Sequence, residues 1–149
     1  MKYGQIIGVE KPISRIVQGT TVLDPADPNT SFAFLDGILA QGGTTFDTAQ
    51  SYLEGDAERL LGRWMADRGN RDEIVILTKG CHHTEDRQRV TTFDLTADVH
   101  DSLARLQVEQ IDLYLLHRDD PTVPVAELIG ALNAHIDAGK IAAIGASNW

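Results

Sequence analysis

The stretch Ala57 to Thr78, AERLLGRWMADRGNRDEIVILT, decides the fold class. Ala57, Leu60, Leu61, Trp64 and Met65 stand at i, i+3, i+4, i+7 and i+8, one apolar stripe along an α-helix. Gly69 stops that helix, because glycine enters the left-handed conformation of a helix end without a side-chain clash. Glu73 to Thr78 (EIVILT) then forms an apolar run with no alternation. Such a run reads as a strand covered on both faces, the pattern of a parallel sheet.

The same unit repeats on either side. Upstream, Ile13 to Gly19 (ISRIVQG) is rich in β-branched residues and reads as strand one, with a small hairpin over Lys2 to Val9 turning near Glu10. The turn-rich DPADPN at 24–29 leads into a helix from Pro28 or Thr30 to Gln41, with Phe34, Leu35, Ile38 and Leu39 on one face. Gly42-Gly43 ends it, and Thr44-Thr45-Phe46 is a short second strand. Downstream of the opening stretch, Gly80 to Thr92 has no period, and a connection that long is often functional. Leu95, Val99, Leu103 and Leu106 mark helix three, and Ile111 to Leu116 (IDLYLL) strand four. Val125, Leu128, Ile129, Leu132 and Ile136 mark helix four, and Lys140 to Gly145 (KIAAIG) strand five. The order βαβαβαβαβ implies a parallel sheet with right-handed crossovers, either an open doubly wound sheet or part of a closed barrel. No GxGxxG follows strand one, where IVQGTTVLDP stands, and that weighs against a dinucleotide-binding open sheet.

Composition bounds the partners. The chain has 149 residues, 42% hydrophobic and 23% charged, enough for one domain (1–149) with a core. It carries 13 basic and 22 acidic residues, net charge −9, with no basic block. That excludes the usual footprints of nucleic-acid and anionic-membrane binding. Cys81 is the sole cysteine, so no internal disulfide forms, which fits a cytoplasmic location. No run approaches a membrane span, and the N-terminus lacks a signal-peptide core.

Residues able to do chemistry stand just past strand after strand: Asp47, Lys79, His117, then Ser147 and Asn148. In a (β/α) barrel these ends meet on one face, where active sites lie. Tyr52, five residues beyond Asp47, is placed to turn back over that face. Singly, each has an ordinary reading: a turn-capping aspartate, a packing tyrosine, a solvated lysine, a loop histidine. Their shared placement is what raises them together. Cys81-His82-His83 has ligand chemistry, but adjacent residues do not readily face one ion and no partner cluster stands at zinc spacing. We expect no metal, and expect these residues at the mouth of a substrate pocket. The acidic Arg118-Asp119-Asp120 segment reads as a solvated turn.

The segment Phe46-Asp47-Thr48-Ala49-Gln50-Ser51-Tyr52 resembles the FDTAxxY signature of the aldo-keto reductases. Thr78-Lys79 resembles that family's lysine segment, Leu115-Leu116-His117-Arg118 its histidine segment, and Gly139-Lys140-Ile141 through Ile144-Gly145 to Ser147-Asn148 its GKI…IGxSN segment. The four motifs come in the family's order along the whole chain. The resemblance implies a (β/α) barrel, here about strands 1 to 5 of 8, and reduction of an aldehyde or ketone with NADP, NAD not being excluded. It implies a catalytic tetrad of Asp47, Tyr52, Lys79 and His117. Tyr52 would give the proton that an alkoxide needs after hydride addition, and Lys79 would favour the phenolate left behind. Asp47 would hold Lys79, and His117 would orient the carbonyl. Gly19, Thr20, Thr21, Asp47, Ser147 and Asn148 would contact the cofactor, the last two at its carboxamide.

Family members run to about twice this length, and what would follow Trp149 matches strands six to eight, with the phosphate clamp and substrate loops. The expectation is therefore an incomplete barrel whose edge residues Ile13, Val17, Ile141 and Ile144 border open space and promote self-association. Two rival readings remain: a regulatory or binding module of the same ancestry, and a barrel aldolase forming a Schiff base on Lys79.

Overall fold

The computed structural model describes residues 1–149. A two-residue strand β1 (Tyr3–Gly4) pairs antiparallel with β2 (Ile13–Ser14). Five further strands, β3 (Gln18–Gly19), β4 (Thr45–Asp47), β5 (Val75–Gly80), β6 (Ile111–Arg118) and β7 (Ile141–Asn148), lie in that order, each parallel to its neighbour. The crossovers carry α1 (Pro28–Ala40), α2 (Asp56–Arg68), α3 (Thr92–Leu106) and α4 (Val125–Asp137). This is the first part of a (β/α) barrel, a curved parallel sheet with helices on its outer face.

The helices form where the sequence places apolar stripes and caps. Asp27 caps α1 by accepting from Thr30 N–H (3.1 Å), with Pro28 at its first position. In α2 the stripe Ala57, Leu60, Leu61, Trp64 and Met65 is wholly buried against the sheet. Phe46 from β4 meets Trp64 edge to face at 5.4 Å. Phe34 departs from expectation: it points outward from α1, whose buried residues are Ser31 and Leu35. Ser31 takes the inner position because its hydroxyl binds both N–H and C=O of Asp24, tying the incoming loop to the helix.

Strand one is shorter than its β-branched sequence predicts. Ile13–Ser14 belongs to the hairpin, and only Gln18–Gly19 joins the parallel sheet. Ser14 breaks the run: its Oγ accepts from the N–H groups of Thr44 and Thr45 (3.2 and 3.0 Å) and donates to Ile16 C=O (2.9 Å). A side chain here takes the place of a ladder and bends the strand. The hairpin therefore spans Tyr3–Ser14, and Val9 packs on Val75, Leu113 and Ala143 at the base of the inner face. Of the residues expected at an open border, Val17 is exposed, Ile13 and Ile144 are half-buried, and Ile141 is buried under the outer core.

The strands are longer at their C-terminal ends than apolarity alone marks. β4 extends to Asp47, β5 to Gly80, β6 to Arg118 and β7 to Asn148. The polar residues expected just past the strands are thus held by the last rungs of the ladder. Register sets their spacing. Asp47 pairs with Leu77, so Lys79 lies two residues further along; Lys79 pairs with Leu115, so His117 lies two further again. Steps of two keep side chains on one face of a strand, and the stagger is that of a barrel.

Candidate active site

Asp47, Lys79 and His117 share the inner face of the sheet at its C-terminal end. Tyr52 arrives from the β4–α2 connection. That connection is pinned to β5: Thr48 N–H donates to Leu77 C=O (2.8 Å) and Gln50 N–H to Lys79 C=O (2.9 Å). Tyr52 opens a single 3-10 turn, Tyr52–Gly55, in which Leu53 (φ 51°) and Glu54 (φ 56°) both take left-handed backbone. Two consecutive non-glycine residues in that region are strained, and such strain collects at functional sites.

Lys79 organises the cluster. Its side chain is buried, and Nζ donates to Asp47 Oδ1, to Thr48 C=O (2.9 Å) and to the Tyr52 hydroxyl oxygen (3.1 Å). These three acceptors use the three donors of an ammonium. Nζ also lies 4.6 Å from the centre of the Tyr52 ring. Since the Tyr52 oxygen accepts from Lys79, its own proton is left to point elsewhere.

His117 closes the other side. Its ring stands edge-on to Tyr52 at 5.8 Å and to His82 at 4.6 Å. The residue is buried, its Nδ1 has no partner, and its pKa is lowered to about 4. Burial is the main cause, helped by the positive charge of Lys79 and by His82 and Arg118. The imidazole is therefore neutral at pH 7.

The expected cofactor residues fall into two groups. Ser147 and Asn148 end β7, exposed; Asn148 Nδ2 donates to His117 C=O (3.2 Å) and to Ser147 Oγ (3.3 Å). That leaves the Asn148 carbonyl and the Ser147 proton side by side and unused within the chain. On the other flank Gly19 is half-buried and Thr21 exposed, whereas Thr20 is fully buried. The Thr20 N–H and hydroxyl both reach the Asp47 carbonyl (2.9 and 3.1 Å), so its side chain is engaged in holding β3 to β4.

The Cys81-His82-His83 segment splits apart. Cys81 turns into the outer core rather than the pocket mouth, and burial pushes its thiol up to about 12. Its left-handed backbone (φ 61°) aims its N–H at Asp98 (2.8 Å) and directs His82 back to His117. Of the three residues expected at a pocket mouth, His82 does stand at the site beside His117, whereas the Leu53–Glu54 turn is a feature that sequence reasoning did not single out. No local pattern marked that turn.

The sequence pattern of the aldo/keto reductase family matches residues 15–149, and the chain belongs to that family. Aldo-keto reductase YhdN of Bacillus subtilis is 35% identical over 157 aligned residues, covering 100% of this chain and 47% of its own length. Norsolorinic acid reductase B of Aspergillus parasiticus is 40% identical over 127 residues, covering 79% of this chain and 33% of its own length. Among solved structures, the holo form of an aldo-keto reductase from Bacillus halodurans superposes with a TM-score of 0.89 at 29% identity, over 99% of this chain and 50% of that one. The chain spans about half the length of these bacterial relatives. No helix is long and apolar enough to cross a membrane.

Proposed function

We propose that the protein reduces an aldehyde or ketone to an alcohol, with Tyr52 as proton donor and NADP as the preferred nicotinamide cofactor. The observation that carries this reading is the three-way donation of Lys79 to Asp47, the Thr48 carbonyl and the Tyr52 oxygen. A phenol that accepts from an ammonium has its proton free for a substrate oxygen. The same ammonium stabilises the phenolate that remains after transfer. Asp47 and the Thr48 carbonyl fix the ammonium in place before the reaction, so no reorganisation is needed during it.

His117, neutral at pH 7, offers one N–H toward the carbonyl oxygen without bringing a second positive charge beside Lys79. Its contacts with Tyr52 and His82 set its orientation, which in turn orients the carbonyl. A bound nicotinamide dinucleotide supplies the hydride. The unused donor of Ser147 and acceptor of Asn148 are complementary to a carboxamide, which has one acceptor and two donors. Gly19, Thr20 and Thr21 flank the same end of the sheet; Thr20 is engaged there, and Thr21 is the exposed member of the three.

The Schiff-base reading of Lys79 is disfavoured because Nζ is turned onto three acceptors and not into open space. The inferred setting is cytoplasmic and the inferred partner a small carbonyl compound.

The test is carbonyl-dependent oxidation of NADPH and NADH by the complete gene product, across a panel of aldehydes and ketones. Tyr52→Phe is expected to lower turnover by about 100- to 10,000-fold, the range of general acid catalysis, with cofactor affinity nearly unchanged. Equal loss of turnover and cofactor affinity would make Tyr52 a packing residue and sink the assignment.

A further inference from the structure

The turn that presents Tyr52 is strained, so something outside it must hold it. Leu53, Glu54 and Gly55 all have positive φ, at 51°, 56° and 90°. A non-glycine residue in such a region is strained and persists only where its surroundings fix it. Part of the hold is its own: Asp56 N–H donates to the Tyr52 and Leu53 carbonyls, and Leu53 packs against the core. The Tyr52 N–H donates to Ala49 C=O (3.1 Å), and no side-chain cap is present at Ser51.

Arg105, near the end of α3, reaches it from behind. Its Nη1 donates to the carbonyl of Gln50 (3.3 Å). Gln50 is thereby held from two sides, since its N–H already donates to Lys79 C=O (2.9 Å). The guanidinium lies against Gly55: a Cβ built there would stand 2.8 Å from Cζ and 2.9 Å from Nε and would displace it, and the φ of 90° itself favours glycine. The same Nη1 faces Glu58 Oε2 at 3.4 Å. Glu58 is fully buried, and its other oxygen accepts from the Thr78 hydroxyl (2.6 Å), one residue before Lys79. Burial pushes the Glu58 carboxyl up, opposed by its bond from Thr78 and by the charge of Arg105. The close approach of the two helices comes from Gly62, whose missing Cβ would meet the Arg105 carbonyl oxygen at 2.6 Å.

We propose that Arg105 is a positioning residue that holds the strained Tyr52 turn against the lysine-bearing strand. It does so by joining the Gln50 carbonyl, the Gly55 backbone and Glu58 with one planar fork. The catalytic part of this rests on the reduction chemistry proposed above; the conformational part does not. Arg105 never touches the reacting atoms, and its effect passes through the placement of the Tyr52 hydroxyl relative to Lys79.

Replacing Arg105 by alanine would leave Glu58 buried and unpaired, which threatens the fold itself. The variant is therefore Arg105→Lys, which keeps a cation near Glu58 but replaces the fork by a point charge. In the complete gene product we expect turnover to fall about 10- to 100-fold with KM nearly unchanged, the cost of misplacing a catalytic group by about an ångström. In a Tyr52→Phe background the same substitution should cost nothing further, because its effect runs through the phenol. Independently of activity, the NMR Cα and Cβ shifts of Leu53 and Glu54 should lose their left-handed signature while shifts in α2 and β5 stay in place. Additive loss in the Tyr52→Phe background, or unchanged shifts at Leu53 and Glu54, overturns the proposal. If Arg105→Lys does not fold, the paired substitution Arg105→Met with Glu58→Gln removes both charges together and is read by the same two measurements. A wild-type protein with no carbonyl-dependent turnover would defeat the proposed reduction and leave the shift measurement to decide the role of Arg105.

Discussion

Each end of the sheet carries a lysine–aspartate pair, and the two pairs do different work. At the N-terminal end Lys11 Nζ meets Asp112 Oδ1 at 2.7 Å and also donates to Ile74 C=O (2.5 Å). Asp112 further accepts from Ile76 N–H (2.8 Å) and from Arg71 (2.9 Å). Every partner there is a carboxylate, a guanidinium or a backbone group, and none is an acid that could pass a proton to a substrate at neutral pH. Burial lowers the Lys11 pKa, and the bond to Asp112 opposes it. At the C-terminal end Lys79 has the same aspartate and backbone acceptors, but its third partner is a phenol. The ion pair by itself is a fastener. Chemistry becomes available where one acceptor is a group whose anion the lysine can stabilise.

Exchanging the lysines for an isostere without charge breaks this comparison most sharply. Lys79→Met should lower turnover by at least about 100-fold, since the phenolate loses its neighbouring cation. Lys11→Met should leave turnover per folded molecule unchanged and show itself only in thermal stability. Steady-state assays beside thermal melts decide the matter, and a turnover loss in Lys11→Met comparable to that in Lys79→Met would erase the distinction.

The next effect in size is on stability at the base. Asp112→Ala removes the acceptor for Lys11, Arg71 and Ile76 N–H together. We expect a loss of about 2–3 kcal/mol, below the full value for breaking a buried ion pair because Lys11 and Arg71 are partly open to water. Denaturant unfolding measures it. A loss under about 0.5 kcal/mol, as at an ordinary surface position, would show that the basal pair fastens nothing.

The effect that is smallest at neutral pH, and grows only in acid, concerns His117. His117 takes up a proton near pH 4 in the folded chain and near about 6.5 when unfolded. The unfolded state therefore binds more protons between those values, and acidification through that window favours unfolding. His117→Gln should remove this part of the acid sensitivity. The His117 ring resonance should titrate near 4 in an NMR series. A midpoint at the ordinary histidine value would mean that neither burial nor Lys79 is felt at the ring.

The amino-acid sequence by itself determined the alternation of strands and helices, because apolar spacing at 3.6 residues in α2 and the unbroken run of β5 are local properties. It also placed Asp47, Lys79 and His117 at strand ends, since polar residues there interrupt otherwise apolar runs. It misjudged Ile13–Gly19, because nothing local shows that the Ser14 hydroxyl will replace a ladder using Thr44 and Thr45, some thirty residues away. It marked strands two to five one to three residues short at their C-terminal ends, because hydrogen bonding continues after apolarity stops. Only the tertiary structure decided the stagger that steps Asp47, Lys79 and His117 by two along adjacent strands, and the return of Tyr52 onto Lys79. It alone showed the turn of left-handed residues behind Tyr52, and Arg105 braced against it from another helix. These are relations between segments far apart in the chain, set by register and packing, and no single stretch of sequence encodes them.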